Sequence, residues 1–175
     1  MERDTSHVQT GNVQLRDVIE SDLPIFFEQQ LDPDANYMAA FTSREPTDRD
    51  AFMEHWAQIL DNVSNINKTI LFNDQVAGNI ASYEDENDQR EVGYWIGKSY
   101  WGMGIASRAL SAFLHCVKTR PLYARVAKDN IASLRVLEKC GFTICGEDKE
   151  FSNARGEEVE EFILSLGATE SEVAQ

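Results

Sequence analysis

Apolar residues recur at i, i+3, i+4 and i+8 in Leu23, Phe26, Phe27 and Leu31, one face of a 3.6-residue period. This predicts a helix capped by Ser21 or Asp22, after a short strand at Val13 to Asp17. The same period returns in Phe52, Trp56, Ile59, Leu60 and Val63, behind a Thr47 and Asp50 pair resembling a capping box. Between these two helices the stretch holding Pro33, Tyr37, Met38, Phe41 and Pro46 reads as a loop rich in aromatic and flexible apolar residues. From Asn67 the period changes to two. Strands are predicted at Thr69 to Phe72 and Val76 to Tyr83 around an Asn73-Asp74 turn, and at Glu91 to Ile96 after a polar loop, giving an antiparallel meander. A glycine-interrupted turn, Trp101-Gly102-Met103-Gly104, precedes a helix with Ile105, Ala109, Phe113, Cys116 and Val117 on one side. A strand at Leu122 to Ala127, a helix from about Asn130 to Cys140 ended by Gly141, and strands at Phe142 to Glu150 and Val159 to Leu166 complete the order. Strand, helix, strand, helix, strand in the second half demands a partly parallel sheet covered by helices, an α/β chain.

Length and charge narrow the picture. A chain of 175 residues, 42% hydrophobic, holds one core, so a single domain over 1–175 is expected, with its ordered part at about 13–166 and polar ends that fray. The net charge of −14 repels a phosphate backbone, which argues against nucleic acid as partner. No apolar run approaches the roughly 20 residues that span a bilayer, and the first eleven residues lack an apolar signal core. A cytoplasmic protein with no membrane partner is the expectation. Cys116, Cys140 and Cys145 are too few and too irregularly spaced for a disulfide framework, and Cys116 and Cys140 fall on apolar helix faces as buried thiols. His7, His55 and His115 lie far apart, so no metal is expected.

The candidate chemistry sits at the glycines. A strand running into Gly102 and Gly104 and then a helix allows close backbone approach and aims free helix N-terminal N–H groups at an anion. Two glycines also make a plain tight connection. The nucleoside-triphosphate loop G-x-x-x-x-G-K-S/T is absent, and neither a third glycine nor a matching acid completes a dinucleotide fingerprint.

The segments Glu91-Val-Gly-Tyr-Trp-Ile-Gly-Lys-Ser-Tyr-Trp-Gly-Met-Gly-Ile-Ala-Ser107 and Asp129-Asn-Ile-Ala-Ser133-Leu-Arg-Val-Leu-Glu-Lys-Cys-Gly-Phe142 resemble the GNAT superfamily of acetyl-CoA-dependent N-acetyltransferases. The likeness is nearest to the branch that contains the ribosomal-protein N-terminal acetyltransferases and covers about Val13 to Leu166. It implies a single mixed, mostly antiparallel, twisted sheet of about seven strands, splayed between strands 4 and 5 and flanked by about four helices. It also implies acetyl-CoA as co-substrate. The family's Q/R-x-x-G-x-G/A motif falls on Trp101, Gly104 and Ala106, so the first position departs from the pattern while the backbone N–H groups of Gly102, Met103, Gly104, Ile105, Ala106 and Ser107 remain. Lys98 and Arg108 stand near enough in sequence to add charge. Tyr94, Trp95 and Ile96 match the strand whose main chain pairs with the pantetheine amides, and Asn130 and Ser133 match positions that reach the cofactor; plain helix capping is the other reading of both.

Acetyl transfer to an amine needs an oxyanion donor, implied at a backbone N–H near Ile96, a general base, and a proton for the departing thiolate. The tyrosine that donates this proton in several family members is replaced here by Leu137, whereas Ser133 keeps the serine used in the ribosomal branch. Glu91 is the first candidate base, and an exposed strand-end carboxylate is the alternative. The branch's usual base position falls on Ser152, with Glu150 one strand repeat away. Tyr37, Phe41, Trp56 and Tyr83 are candidate walls of the acceptor site, with core packing the plainer role for Phe41 and Trp56. Acids such as Glu147, Asp148, Glu157, Glu158, Glu160 and Glu161 would attract a cationic amine. The function expected is N-acetylation of a small amine, an amino-acid derivative or a protein N-terminus, by a monomer or homodimer. A non-catalytic acyl-CoA-binding or sensor module is the rival, and transfer of a longer acyl chain a third possibility.

Overall fold

The computed structural model describes residues 11–167. Seven strands, β1 (Val13–Asp17), β2 (Ile66–Phe72), β3 (Gln75–Glu84), β4 (Arg90–Ile96), β5 (Leu122–Ala127), β6 (Thr143–Ser152) and β7 (Glu157–Leu166), form one sheet in the order β1-β2-β3-β4-β5-β7-β6. All neighbours are antiparallel except β4 and β5. The helices are α1 (Leu23–Gln30), α2 (Pro33–Ala39), α3 (Arg49–Asp61), α4 (Ile105–Phe113) and α5 (Ile131–Lys139).

Strand alternation sorts the side chains into two layers of packing. Ile70, Ala77, Ile80, Val92, Leu122, Ala124, Val126 and Leu164 face α4 and α5, where Ile105, Leu110, Phe113 and Leu137 complete the main core. On the other face a smaller cluster of Leu23, Phe26 and Trp56 joins α1 and α3 to Val76 of β3, with the Phe26 and Trp56 rings 5.2 Å apart. Trp56 is therefore a core residue. Asp22 ties this helical layer to the sheet: its carboxylate takes two bonds from Arg16 of β1, at 2.6 and 2.8 Å, and one from Thr69 of β2 at 2.6 Å. Burial pushes the Asp22 carboxyl up, but these donors and the Ile19 N–H hold it below the usual aspartate range.

Several local expectations need correction. The stretch after α1 is not a loop: Asp32 accepts from the Ala35 N–H at 2.9 Å and Pro33 occupies the first turn, so α2 forms. Asp48 rather than Thr47 caps α3, and α1 follows a 3₁₀ turn at Glu20–Asp22, with no side chain capping it because the Asp22 carboxylate is turned to Arg16 and Thr69. The third predicted amphipathic stretch stops early, at Phe113, so Cys116 lies in the following turn and is exposed, while Cys140 is half-buried. Val63, placed on a helix face, lies past the end of α3 and is fully exposed. The Asn73-Asp74 turn and the Gly141 cap stand where the pattern put them, with Gly141 at φ 98° and the Phe142 N–H bonding the Leu137 carbonyl. His7 and most of the polar ends lie outside the described residues.

Candidate active site

The parallel pair β4 and β5 meets only at Glu91 and Tyr123, after which the two strands diverge. What faces the opening follows from the β3–β4 ladder. Gly97 N–H bonds the Ala77 carbonyl at 2.8 Å, and the register then alternates, so the Trp95 main chain is turned toward β3 while the N–H and C=O groups of Tyr94 and Ile96 point into the gap. The Trp95 main chain is therefore taken up by β3, while the Tyr94 groups and the Ile96 N–H are turned toward the gap. Gly78 makes the close packing beneath possible, because a Cβ there would lie 2.0 Å from the Trp95 carbonyl oxygen.

Beyond β4 the chain passes through Gly102 and Gly104, at φ 78° and 71°, before α4 begins. A left-handed conformation at both positions favours glycine. No side chain caps α4, leaving the first-turn N–H groups of Ile105, Ala106 and Ser107 aimed outward. A Cβ at Gly102 would meet nothing within 4 Å, and Gly102, Gly104 and residues 105–107 line the cavity described next. The two expected cations are already engaged. Lys98 pairs with Asp34 at the start of α2, and Arg108 donates to the carbonyls of Gly11, Met103 and Gly104 at 2.8, 3.2 and 3.4 Å. Arg108 thus braces the turn through its carbonyls. Trp101, at the divergent motif position, folds back to donate its indole N–H to the Ile96 carbonyl at 2.9 Å.

One cavity of about 610 Å³ runs from this turn through the β4–β5 opening. On the α5 side it passes Tyr94 and Ser133, whose hydroxyls are 2.7 Å apart. Asn130 also lines it, although both polar atoms of its side chain are used: Oδ1 accepts from the Ser133 N–H and Nδ2 donates to the Met38 carbonyl. On the opposite side the cavity reaches Phe41, Tyr83, Arg125, Glu150 and Glu161. Tyr37 is not part of its wall; half exposed, it supports the Arg155 guanidinium, 4.2 Å above its ring, and Arg155 in turn holds Asp129 through two bonds of 2.6 and 2.9 Å.

Arg125 is the centre of the acidic side and no sequence signal singled it out. Its guanidinium contacts Glu161 at 2.7 Å, Glu91 at 3.1 Å and Asp148 at 3.1 Å. Burial raises the carboxyls of Glu91 and Glu161 above the usual glutamate range, with Arg125 opposing the shift in both. Glu91 therefore stands at the closed end of the strand pair, buried and salt-bridged, outside the cavity wall. Glu150 lines the cavity, exposed, and its carboxylate comes within 4.8 Å of those of Asp148 and Glu161. Ser152, at the usual base position, is fully buried with its hydroxyl on the Ala40 carbonyl, so it has no free role.

The profile of the acetyltransferase (GNAT) domain matches residues 12–143. The chain belongs to the GNAT acetyltransferase family. A curated relative, the uncharacterized N-acetyltransferase p20 of Bacillus licheniformis, is 26% identical over 87 residues, which are 47% of this chain and 49% of the relative. The match thus spans about half the length of that protein. Among solved structures, the ribosomal L7/L12 alpha-N-protein acetyltransferase RimL in complex with coenzyme A superposes with a TM-score of 0.73 at 22% identity, over 90% of this chain and 96% of the other. The spermidine N-acetyltransferase of Vibrio cholerae, in complex with coenzyme A and spermine, gives 0.72 at 18% identity, over 87% and 95%. At such identities the likeness is one of fold. The GNAT fold predicted from the central motifs is thereby established, including the splayed strand pair.

Proposed function

We propose that this protein is an N-acetyltransferase that moves an acetyl group from acetyl-CoA to a primary amine, such as a small amine, an amino-acid derivative or a protein N-terminus. The observation that carries this reading is the path of the cavity. It joins bare amides at the start of α4 on one side of the sheet to a carboxylate cluster on the other, through the gap between β4 and β5. The α4 amides suit a diphosphate, and the Tyr94 and Ile96 main chains suit the amide groups of a pantetheine arm. RimL and the spermidine enzyme are proteins of this fold whose structures hold coenzyme A, which agrees with the fit.

When bound, acetyl-CoA supplies an activated carbonyl on a thiol leaving group. The Ile96 N–H faces the gap as the hydrogen-bond donor for the developing oxyanion, a contribution worth about 10²–10³ in rate. Ser133, on the cavity wall, would lend a hydrogen bond to the departing sulfur. Glu150, the cavity carboxylate without an arginine partner, receives the ammonium proton directly or through water, while Glu91 stays locked on Arg125. The surplus of carboxylates around Arg125 attracts a cationic acceptor. Free cysteines fit a cytoplasmic protein, the acidic surface argues against nucleic acid, and one domain working as a monomer or homodimer is the simplest organisation.

Thiol release from acetyl-CoA against a panel of polyamines, amino-acid amides and short peptides tests the proposal. Amine-dependent release is expected, with kcat/KM rising with pH until the acceptor is unprotonated. Glu150→Gln is expected to lower kcat by about 10²-fold while leaving acetyl-CoA affinity intact. Coenzyme A binding without amine-dependent turnover across the panel would favour a sensor instead.

A further inference from the structure

Leu137 brings no hydroxyl to the α5 wall of the cavity, yet a phenol stands beside that wall, carried by the neighbouring strand. Tyr94 projects from β4 toward α5, and its Oη lies 2.7 Å from Ser133 Oγ. The pair is 39 residues apart in sequence and crosses between strand and helix. Ser133 and Leu137 are one helical turn apart on the same side of α5, and both line the cavity with Tyr94.

At 2.7 Å either hydroxyl could donate to the other, and relative acidity decides between them. Each hydroxyl has one proton to give. A phenol is the stronger acid of the two, so Tyr94 O–H donates to Ser133 Oγ. The alternative leaves the tyrosine proton only a long contact of 3.4 Å to the Ser133 carbonyl. With an Oγ lone pair occupied by Tyr94, the serine's own proton is left for an acceptor in the cavity that Ser133 lines. A serine in a helix otherwise tends to bond a carbonyl one turn back, and Tyr94 is the partner that competes with that habit. The other serine on the cavity wall near the turn, Ser107, is not available, since its hydroxyl donates to the Gly104 carbonyl at 3.1 Å.

We propose that Tyr94 is a positioning residue for acyl transfer: its phenolic O–H holds Ser133 so that the serine proton points at the departing coenzyme A sulfur. This rests on the acetyl-CoA reading above. In the transfer a C–N bond forms and the C–S bond breaks, with its electron pair passing to sulfur. The amine proton leaves toward Glu150 or water. Ser133 and Tyr94 lend hydrogen bonds and keep their own protons, so neither needs to be recharged. Tyr94 suits this part because burial pushes its hydroxyl up to about 12, with the bond to Ser133 opposing, and so keeps it protonated throughout the working range. Cys140, just past the end of α5, is the other titratable group acting on it, and burial pushes that thiol up as well.

Coenzyme A itself is the probe. Its thiol is titrated by thiolate absorbance in the complex with the wild-type protein, Tyr94→Phe, Ser133→Ala and the double variant, with affinity and thermal stability measured alongside. A hydrogen bond to the charged sulfur is expected to vanish in Ser133→Ala and raise the bound thiol's pKa by about one unit. Tyr94→Phe is expected to produce about half that rise without weakening coenzyme A binding more than about twofold. The double variant should match Ser133→Ala. An unmoved titration in Tyr94→Phe, or additive shifts in the double variant, overturns the positioning role while leaving the acetyltransferase reading intact. Failure of the wild-type protein to bind coenzyme A overturns both.

Discussion

Replacing Gly104 with aspartate is expected to cost acetyl-CoA affinity by 100-fold or more while leaving the protein folded. The residue sits at φ 71° immediately before α4, and aspartate is among the few side chains that tolerate this left-handed conformation. A carboxylate at a helix N-terminus also suits the dipole. What it destroys is the anion site: the new charge occupies the first-turn amides and repels the diphosphate, a like-charge contact of several kcal/mol, of which about 2.7 already amounts to 100-fold. Because Lys98 and Arg108 are committed to Asp34 and to backbone carbonyls, no nearby cation compensates within this turn. Gly104→Asn keeps the shape without the charge and should lose only about tenfold. Raising the salt from 50 to 500 mM should narrow the gap between the two variants, since part of the difference is screened charge. Calorimetric titration of acetyl-CoA measures both effects; equal losses in the two variants would mean that the site does not work through backbone amides and a bound anion.

Arg125→Met is expected to lower stability by roughly 2–4 kcal/mol at pH 7.5, or about 5–12 °C in Tm. The substitution strands Glu161, 1% exposed, and Glu91, 9% exposed, as buried carboxylates without their cation. About a third of the Arg125 side chain reaches solvent, which places the loss below that of a fully buried pair. The pH dependence has a defined sign. Both glutamates are already raised above their ordinary value by burial, so the folded state prefers them protonated. That contribution is fully present below about pH 4.5, the unfolded glutamate value, and is lost as pH rises through the folded values. Removing Arg125 pushes both folded values higher still. The variant's deficit relative to wild type should therefore be larger at pH 7.5 than at pH 5, as read by thermal melts at the two pH values. A deficit of the same size at both would show that packing rather than charge is what Arg125 contributes.

The parts of the fold legible in the sequence are those governed by local rules. The left-handed glycines Gly102 and Gly104 ahead of α4, the Asn73-Asp74 hairpin, and the Asn130 and Gly141 ends of α5 each depend on a few adjacent residues, although a 3₁₀ turn at Lys98–Tyr100 separates β4 from the glycines. Helix α2 was not legible because it is only seven residues long, with little helical period. Its Asp32 cap precedes a proline, a local signal that marks it, and further support comes from Lys98, Asn130 and Arg155, far along the chain. The same limit applies within the site. That Glu91 would be locked and Glu150 left facing the cavity depends on Arg125 of β5 meeting acids from β4, β6 and β7, a matter of register across four strands. Alternation along β5, Leu-Tyr-Ala-Arg-Val-Ala, does put Arg125 on the face away from the main core, but nothing local says which carboxylates it will find there. Tyr94 was legible as a main-chain contact; its hydroxyl's role needed the crossing of β4 over α5.

If this reading holds, the cofactor lies in the β4–β5 opening with its diphosphate on the start of α4. Amide NMR of the labelled protein during titration with coenzyme A tests it most directly. The largest shifts are expected on the N–H groups of Ile105, Ala106 and Ser107 and on those of Tyr94 and Ile96, with Trp95 moving less because its N–H is held by β3. Large shifts confined to other surfaces, with the α4 amides unmoved at saturation, would contradict it.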